Sequence, residues 1–249
     1  MKELHEQQIL SILQQQQYAT VDELASKLYI STSTVRRTLN ALQKKELTIR
    51  THGGVKINDT QNTSPNFFFR IHQNSFEKKK MALAAIKLIK NGDIIFLDGS
   101  TSAFYIAEYL QEFKDIRVIT NGIDTLSLLA KNNIRAYSTG GQVSTQNPSV
   151  LVGRYAEDTI GNFHANIAFF SAQALNYDGS VYDCFEEENF IRRAMMKNAT
   201  TNVFLCDDTK TGKQSSFYLC SASEIDYIVS NRPLPEMESI KDATKIINI

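Results

Sequence analysis

The chain has 249 residues, 42% of them hydrophobic, and its 27 basic side chains balance its 27 acidic ones, which suits a small domain joined to one larger domain. It has no run of about 18 apolar residues and no charged-then-apolar N-terminal signal, so we exclude a membrane-spanning protein and expect a soluble, cytoplasmic one. Its three cysteines (Cys184, Cys206, Cys220) predict reduced thiols and its histidines are scattered, so we expect no disulfide framework, no metal site and no cofactor.

The first predicted elements are two helices. Apolar spacing predicts a supporting helix over about Leu4–Gln17. Thr20 and Glu23 fit a capping box that opens the second helix. The second helix has one apolar face on a 3.6-residue period, formed by Val21, Leu24, Ala25 and Leu28.

A third helix follows, with Ser31 as its predicted cap. Its buried stripe would be Val35, Leu39 and Leu42. The opposite face has no apolar residue and carries groups that can bond phosphates or base edges: Ser33, Arg36, Arg37 and Asn40.

A glycine-containing hairpin is predicted next. Leu47–Arg50 and Val55–Ile57 bracket His52-Gly53-Gly54, where the glycines supply the turn. Three helices and a two-stranded wing make a winged helix-turn-helix. The segment from 31 to 56 is also basic, with Arg36, Arg37, Lys44, Lys45, Arg50 and Lys56 against Glu46. Two arginines on an amphipathic helix also fit a solvated face, but the caps, the wing and the charge together favour DNA binding.

Residues 1–56 resemble the head of the DeoR family of bacterial transcriptional regulators. The resemblance rests on STSTVRRTLNAL, which matches the recognition helix, and on IRTHGGV, which matches the end of the wing. Thr38 replaces the family's usual aspartate and His5 replaces a common arginine, which puts operator preference in doubt. The DNA-contacting residues that we predict are Ser31, Thr32, Ser33, Thr34, Arg36, Arg37, Asn40, Arg50, His52 and Lys56.

We predict three segments: a winged helix-turn-helix over 1–57, a polar linker over 58–76, and an α/β effector-sensing and oligomerisation domain over 77–249. The third segment opens with a helix over Glu77–Lys90, in which Lys78–Lys80 are interpreted as a solvated face. Apolar strands then alternate with amphipathic helices, which predicts a parallel or mixed sheet covered on both faces.

Ligands of such sheets bind at the carboxyl ends of the strands. Four predicted strand-end loops have suitable chemistry: Asp98-Gly99-Ser100-Thr101-Ser102, Asn121-Gly122, Gly140-Gly141, and Asp207 with Lys210. Each of these loops alone is also compatible with an ordinary turn. Together they predict a polar pocket. For Glu186–Glu188 with Arg192 and Arg193, a local ion-pair cluster competes evenly with a ligand-binding role.

The resemblance extends to this domain, whose family counterpart has an α/β fold similar to sugar-phosphate isomerases and CoA transferases. The matching pieces are LDGSTS, ITNG, STGG, Glu188 to Arg193-Ala194, and Asp207 to Gly212. By resemblance, Ser100, Thr101 and Ser102 hold the phosphate of a sugar or polyol phosphate. The resemblance and the loops together give one predicted effector site: Asp98, Gly99, Ser100, Thr101, Ser102, Asn121, Gly140, Gly141, Glu188, Asp207 and Lys210.

Three functions compete. The first is a ligand-controlled regulator, interpreted as a repressor of sugar or polyol metabolism genes that binds a two-fold operator as a dimer or tetramer. The second is a DNA-binding regulator whose α/β domain only oligomerises, an alternative kept open by the departures from the family pattern at Asn166–Gln173 and Cys184-Phe185. The third is a phosphosugar isomerase, which the attached head and Asn166 in place of a family carboxylate disfavour. We therefore expect no catalytic residues and no membrane partner.

Overall fold

The computed structural model describes residues 2–16, 18–45, 47–51, 53–57, 67–234 and 244–249. The chain forms two compact units, Met1–Gln73 and Asn74–Ile249. Among the described residues, no helix is both long enough and apolar enough to cross a membrane.

The first unit is a helical domain with a small antiparallel sheet. Its helices are α1 (Lys2–Gln16), α2 (Val21–Leu28), α3 (Thr32–Lys44) and α4 (Phe67–His72). Its strands are β1 (Tyr18–Thr20), β2 (Thr48–Thr51) and β3 (Gly54–Ile57), in the order β1-β3-β2. Residues from α1, α2, α3 and the sheet share one core around the fully buried Leu13, Leu24 and Leu39.

The predicted helix starts are confirmed by their hydrogen bonds. The Glu23 backbone N–H donates to Thr20 Oγ1 at 3.2 Å, and the Thr20 N–H donates to Glu23 Oε2 at 2.8 Å, which completes the capping box. The Thr34 N–H donates to Ser31 Oγ at 3.2 Å and starts α3. Between the two helices Tyr29 adopts a left-handed conformation, with φ of 53°, and ends α2.

The two glycines of the wing serve different purposes. Gly53 has φ of 85°, which favours glycine because it has no Cβ. Gly54 lies against the ring of Tyr18, and a Cβ at this position would come within 2.4 Å of the ring. Strand β1, which carries Tyr18, makes the wing three-stranded rather than two-stranded. A strand of three residues is too short to show a periodic pattern, so the sequence prediction missed it.

The second unit is built on a seven-stranded sheet. Its helices are α5 (Ser75–Ala85), α6 (Thr101–Ala107), α7 (Ile123–Lys131), α8 (Arg154–Gly161) and α9 (Glu186–Lys197). The strands of the large sheet are β4 (Ile94–Leu97), β5 (Arg117–Thr120), β6 (Ala136–Ser138), β9 (Ala165–Phe170), β12 (Ala199–Cys206), β14 (Tyr227–Ser230) and β15 (Lys245–Asn248). Four short 3-10 turns, Ile86–Leu88, Leu110–Glu112, Asp208–Lys210 and Ala222–Glu224, complete its helical elements within the described residues.

All pairs in this sheet are parallel, in the order β15-β14-β12-β9-β4-β5-β6. The chain adds β5 and β6 on one side of β4, then returns to place β9 on the other side. The order therefore reverses between β4 and β9. In open α/β sheets a crevice for ligands forms outside the strand ends at such a switch point.

Two smaller sheets accompany the large one. Strands β7 (Gln142–Val143) and β8 (Leu151–Val152) form a hairpin, and β10 (Ala174–Leu175), β11 (Ser180–Asp183) and β13 (Phe217–Ser221) form an antiparallel sheet. The sequence analysis predicted neither of these sheets, nor α4 and α8. Cys184, Cys206 and Cys220 are unpaired, as predicted, and burial raises the pKa of each thiol to about 12.

Candidate functional site

Helix α3 divides into a buried and an exposed face. Val35, Leu39 and Leu42 are fully buried. The side chains of Ser33, Arg36, Arg37 and Asn40 are exposed. The buried and exposed faces predicted from the spacing are confirmed. That this face contacts DNA is still a prediction.

The remaining predicted DNA-contacting residues lie at the start of α3 and in the wing. Ser31 Oγ is within 2.8 Å of Ser33 Oγ and 2.9 Å of Thr34 Oγ1, so the hydroxyls form one cluster, beside which Thr32 is half-buried. From strand β2, Arg50 Nη2 donates to Asn40 Oδ1 at 3.3 Å, which ties the wing to α3. Lys56 is exposed, and His52 lies outside the described residues.

Two polar residues near α3 have structural roles. Thr38 is buried and donates its hydroxyl to the Thr34 carbonyl at 3.0 Å. Lys45 forms an ion pair with Glu6 at 2.7 Å, and the Glu6 side chain is only 3% exposed. Part of the basic charge counted in the sequence therefore holds α3 to α1.

In the second unit, Asp98 lies at the switch point of the large sheet. It follows β4 directly, and its backbone N–H donates to the Phe169 carbonyl of β9. Its carboxylate accepts hydrogen bonds from the Ser100 N–H at 3.1 Å, the Ser171 N–H at 3.2 Å and Arg192 Nε at 3.0 Å. Asp98 thus fixes the loop after β4 against the end of β9.

Arg192 is the centre of a buried ionic cluster. Its guanidinium contacts Asp98 at 3.0 Å, Asp183 at 3.2 Å and Glu188 at 2.8 Å. Burial alone would lower the pKa of Arg192, but the three carboxylates raise it above its usual value. The second oxygen of Glu188 accepts from Asn147 Nδ2 at 2.7 Å. Arg192 and Glu188 therefore form the ion pair that the sequence analysis gave as one of two roles, and the effector-binding role of Glu188 stays a prediction.

Arg193, the neighbouring residue on α9, points elsewhere. Its Nε donates to the Leu219 carbonyl at 3.0 Å, and its Nη2 donates to the Tyr218 carbonyl. This arginine fastens α9 to strand β13 and is separate from the ionic cluster.

A second polar group joins β9 to β12. Lys210 Nζ donates to Ser171 Oγ and lies 3.4 Å from Asp207 Oδ2. Burial tends to raise the pKa of Asp207, but Lys210, hydrogen bonding by Thr209 and the charge of Lys78 together bring it below its usual value. Since Ser171 N–H also binds Asp98, one network runs from Glu188 through Arg192, Asp98 and Ser171 to Lys210.

The loop Ser100–Ser102 is buried and opens α6. Ser100 Oγ accepts from the Ala103 N–H at 3.1 Å and caps the helix. Thr101 Oγ1 accepts from Lys78 Nζ at 3.0 Å. A hydroxyl that accepts one hydrogen bond can still donate its own proton, so both side chains can bind an anion. The first N–H groups of a helix also lack intrahelical partners.

Glycines let the neighbouring strand ends approach one another. A Cβ on Gly99 would lie 2.2 Å from Val150 Cγ1, and one on Gly122 would lie 3.1 Å from the Gly99 Cα. Asn121 donates from Nδ2 to the Leu151 carbonyl, whereas its buried Oδ1 has no hydrogen-bond partner among the described residues. The hairpin residues before β8 thus lie directly against the loops after β4 and β5, beside an unused buried acceptor.

Gly140 and Gly141, also predicted to line the site, adopt positive φ values of 64° and 99°. A Cβ on Gly141 would lie 2.5 Å from the Val152 carbonyl oxygen, so this glycine allows close packing against the hairpin. A Cβ on Gly140 would meet open space. Neither glycine contacts the Asp98–Lys210 network through a described hydrogen bond.

The interpretation of the lysine run 78–80 was wrong for its first member. Lys78 is 6% exposed, whereas Lys79 and Lys80 are exposed. Spacing could have revealed this, because Lys78 precedes the buried Met81 and Ala85 by three and seven residues. The sequence analysis also missed Ser171, Asn147 and Asp183. Ser171 could have been found, since it directly follows strand β9.

Each of the two units matches the model of a known protein family. Residues 6–61 match the model of the DeoR-like helix-turn-helix domain, and residues 73–232 match that of the DeoR C terminal sensor domain. The chain therefore belongs to the DeoR family and is a DNA-binding transcriptional regulator with a C-terminal sensor domain.

Relatives match over most of their length. The HTH-type transcriptional regulator GolR of Listeria innocua is 34% identical over 91% of this chain and 89% of its own. The L-fucose operon activator of Haemophilus influenzae is 33% identical, over 92% of this chain and 91% of its own. The glycerol-3-phosphate regulon repressor of Escherichia coli is 25% identical, over 91% of this chain and 90% of its own. A solved structure of D-ribose-5-phosphate isomerase can be superposed on 54% of this chain, using 52% of the isomerase chain, with a TM-score of 0.41 and 16% sequence identity. This likeness carries no information about activity.

Proposed function

We propose that this regulator represses genes of sugar or polyol metabolism and that a phosphorylated sugar or polyol, bound in the sensor domain, releases it from its operator. The observation that supports this proposal most strongly is the polar network at the switch point. Around this network, the carboxyl ends of β4, β5, β9 and β12 hold hydroxyls, a lysine and the buried Asn121 amide oxygen, which has no hydrogen-bond partner among the described residues.

The chemistry of these groups suits a phosphorylated polyol. Hydroxyls, helix-initial N–H groups and ammonium groups bind phosphate oxygens. The Asn121 Oδ1 acceptor suits a sugar hydroxyl, which can donate to it. Among the relatives, the glycerol-3-phosphate regulon repressor is named for a polyol phosphate and the L-fucose operon activator for a sugar.

The carboxylates of the network disfavour an isomerase. A catalytic base needs a carboxylate that can reach a substrate proton. Asp98 and Glu188 are both held by Arg192, and Asp207 is held by Lys210 and Thr209. In this arrangement the carboxylates hold the strand ends together.

For the head, we propose that α3 enters the major groove with Ser33, Arg36, Arg37 and Asn40, while Arg50 and Lys56 of the wing contact phosphates. Ser31, Thr32 and Thr34 would contact the backbone at the start of the helix. A winged head on a two-fold operator requires a second copy, so we propose a homo-oligomer, either a dimer or a tetramer.

A thermal-shift screen against sugar phosphates and polyol phosphates tests the effector class. A ligand present at a hundred times its dissociation constant stabilises the fold by about 2.7 kcal/mol, which raises the melting temperature visibly. The hit is then added to an operator complex obtained by selection from random DNA, and release is followed by fluorescence anisotropy. We expect release by phosphorylated compounds and none by their unphosphorylated counterparts.

Two variants locate the site. Lys210→Ala and Ser102→Ala should each weaken binding of the hit about tenfold, because each removes a donor to phosphate. Ser102 is preferable to Ser100, whose hydroxyl also caps α6. Lys87→Ala, an exposed lysine of the same domain, is the control. A flat screen with operator binding intact would instead support a sensor domain that only oligomerises.

A further inference from the structure

Tyr29 has a backbone conformation that is unfavourable for its residue type. It ends α2 with φ of 53° and ψ of 40°, in the left-handed region that residues with a Cβ seldom adopt. The other non-glycine residues with positive φ in the described part of the chain are Asn74, Asp115 and Asn133. Short polar side chains of this kind tolerate the left-handed region, whereas a bulky ring is costly there. The backbone therefore gives no reason for an aromatic residue at position 29.

Packing does not explain the tyrosine either. Its side chain is 96% exposed, more than any other large hydrophobic side chain among the described residues. The turn is fixed by its backbone, because the Tyr29 N–H donates to the Ser26 carbonyl at 3.4 Å and the Ile30 N–H donates to the Ala25 carbonyl at 3.1 Å. Any residue except proline could donate from position 29. The ring of Tyr29 thus adds little to the stability of the first unit.

The position of Tyr29 suits a contact with DNA. It lies in the turn between α2 and α3, two residues before Ser31, the N-cap of α3. In a helix-turn-helix the first helix crosses the DNA backbone while the second enters the major groove, so the turn that joins them lies close to phosphates. Ser31, Ser33 and Thr34 form a hydroxyl cluster at the same end of α3. A tyrosine hydroxyl is among the donors that bind phosphate oxygens.

We propose that Tyr29 binds the operator backbone, with its hydroxyl donating a hydrogen bond to a phosphate oxygen at the edge of the groove that α3 enters. The proposal rests on the proposed docking of α3 and adds a contact that the basic residues do not provide. A neutral hydroxyl positions the head without releasing a counterion, and a phosphate contact carries no sequence information. Tyr29 therefore strengthens binding to every DNA sequence alike and leaves the salt dependence to Arg36 and Arg37.

Two substitutions separate the hydroxyl from the ring. Tyr29→Phe removes only the hydroxyl, and Tyr29→Gly removes the whole side chain at a position whose φ suits glycine. Tyr155→Phe, at an 81% exposed tyrosine of α8 in the second unit, is the matched control. Binding to an operator fragment obtained by selection, and to a shuffled fragment of the same length, would be followed by fluorescence anisotropy at several salt concentrations.

We expect Tyr29→Phe to bind both fragments about fivefold more weakly than the unaltered protein does, and Tyr29→Gly to bind them about tenfold more weakly. The ratio of the two affinities and the dependence of binding on salt should stay the same. Tyr155→Phe should bind both fragments within about twofold of the unaltered protein. The melting temperature of Tyr29→Gly should not fall, since glycine adopts positive φ without strain.

Three results would overturn the proposal. The first is full affinity in Tyr29→Phe. The second is a loss of affinity confined to the operator fragment, which would indicate contact with bases. The third is a lower melting temperature of Tyr29→Gly, which would show that the ring supports the fold.

Arg36→Met distinguishes a failure of the docking from a failure of the contact. If α3 does not enter the groove, Arg36→Met and Tyr29→Phe would both keep full affinity, and both proposals would fall. If Arg36→Met loses affinity and Tyr29→Phe does not, α3 docks as proposed but Tyr29 lies away from the DNA. Loss of affinity in both variants supports the docking and the contact together.

Discussion

The two polar surfaces of this regulator are built in opposite ways. On α3, the side chains proposed to contact DNA are exposed, and the most central of them, Arg36 and Arg37, project from a helix whose other face forms the core. At the strand ends of the sensor domain, the polar groups are buried and bonded to one another, as Asp98, Arg192 and Glu188 illustrate. The head can therefore lose a functional side chain without losing its fold. In the sensor domain, removing the shared cation Arg192 should also destabilise the fold.

The largest expected effect is a loss of stability when the buried ionic cluster of the sensor domain is broken. Arg192→Met would leave Asp98, Asp183 and Glu188 in the interior without their shared cation, and breaking a buried ion pair typically costs about 3–5 kcal/mol. We expect the free energy of unfolding of the sensor domain, measured by urea denaturation, to fall by about that amount.

Arg193→Met is the matched control for this variant. Arg193 is exposed and bonds two backbone carbonyls, so its loss should cost about 1 kcal/mol or less. If both variants lose similar stability, the buried cluster is not what holds the strand ends together.

The next prediction concerns operator binding by the exposed arginines of α3. Arg36→Met and Arg37→Met should each weaken operator binding about tenfold or more and reduce the salt dependence of binding, because each removes a cation facing DNA. The melting temperature should hardly change, since surface substitutions seldom alter stability. Lys27→Met, an exposed lysine of α2, is the control. A fall in melting temperature that accompanied the loss of binding would show that the arginines are structural.

The same contrast explains what the sequence could predict. The head was predictable because α3 exposes one stripe and buries another. Spacing alone therefore predicts that Val35 and Leu39 are buried and that Arg36 is exposed. The caps at Thr20 and Ser31 are also local features. In the sensor domain, spacing located the strand ends. The hydrogen bonds and ion pairs that join these ends, however, link residues that are far apart in the sequence.

Arg192 shows this limit most clearly. Its sequence neighbours include Glu188, four residues before it, which permits a local ion pair. Its other partners, Asp98 and Asp183, reach it only because β4 and β11 are brought next to α9 by the fold. No pattern within the helix contains that information. The Gly99–Val150 contact is of the same kind, since the hairpin that supplies Val150 was not predicted.

The smallest expected effect is on the pH dependence of stability, and it concerns Asp207. Burial tends to raise the pKa of Asp207, while Lys210, Thr209 and Lys78 bring it below its usual value. A carboxylate whose pKa is lower in the folded than in the unfolded state stabilises the fold above the unfolded pKa, near 4. That stability is lost as the pH falls through the folded pKa. Asp207→Asn should therefore be less stable than the unaltered protein at pH 6, and the difference should shrink as the pH is lowered below 4.

Lys210→Met provides the decisive comparison for Asp207, because it removes the cation that contributes most to lowering this pKa. In a Lys210→Met background, Asp207→Asn should change the pH dependence of unfolding less than it does alone. A pH dependence that is the same in both backgrounds would mean that the two groups titrate independently. Asp207 would then resemble the exposed charges of the head, which act on a ligand rather than on the fold, and the division between the two surfaces would not hold at the end of β12.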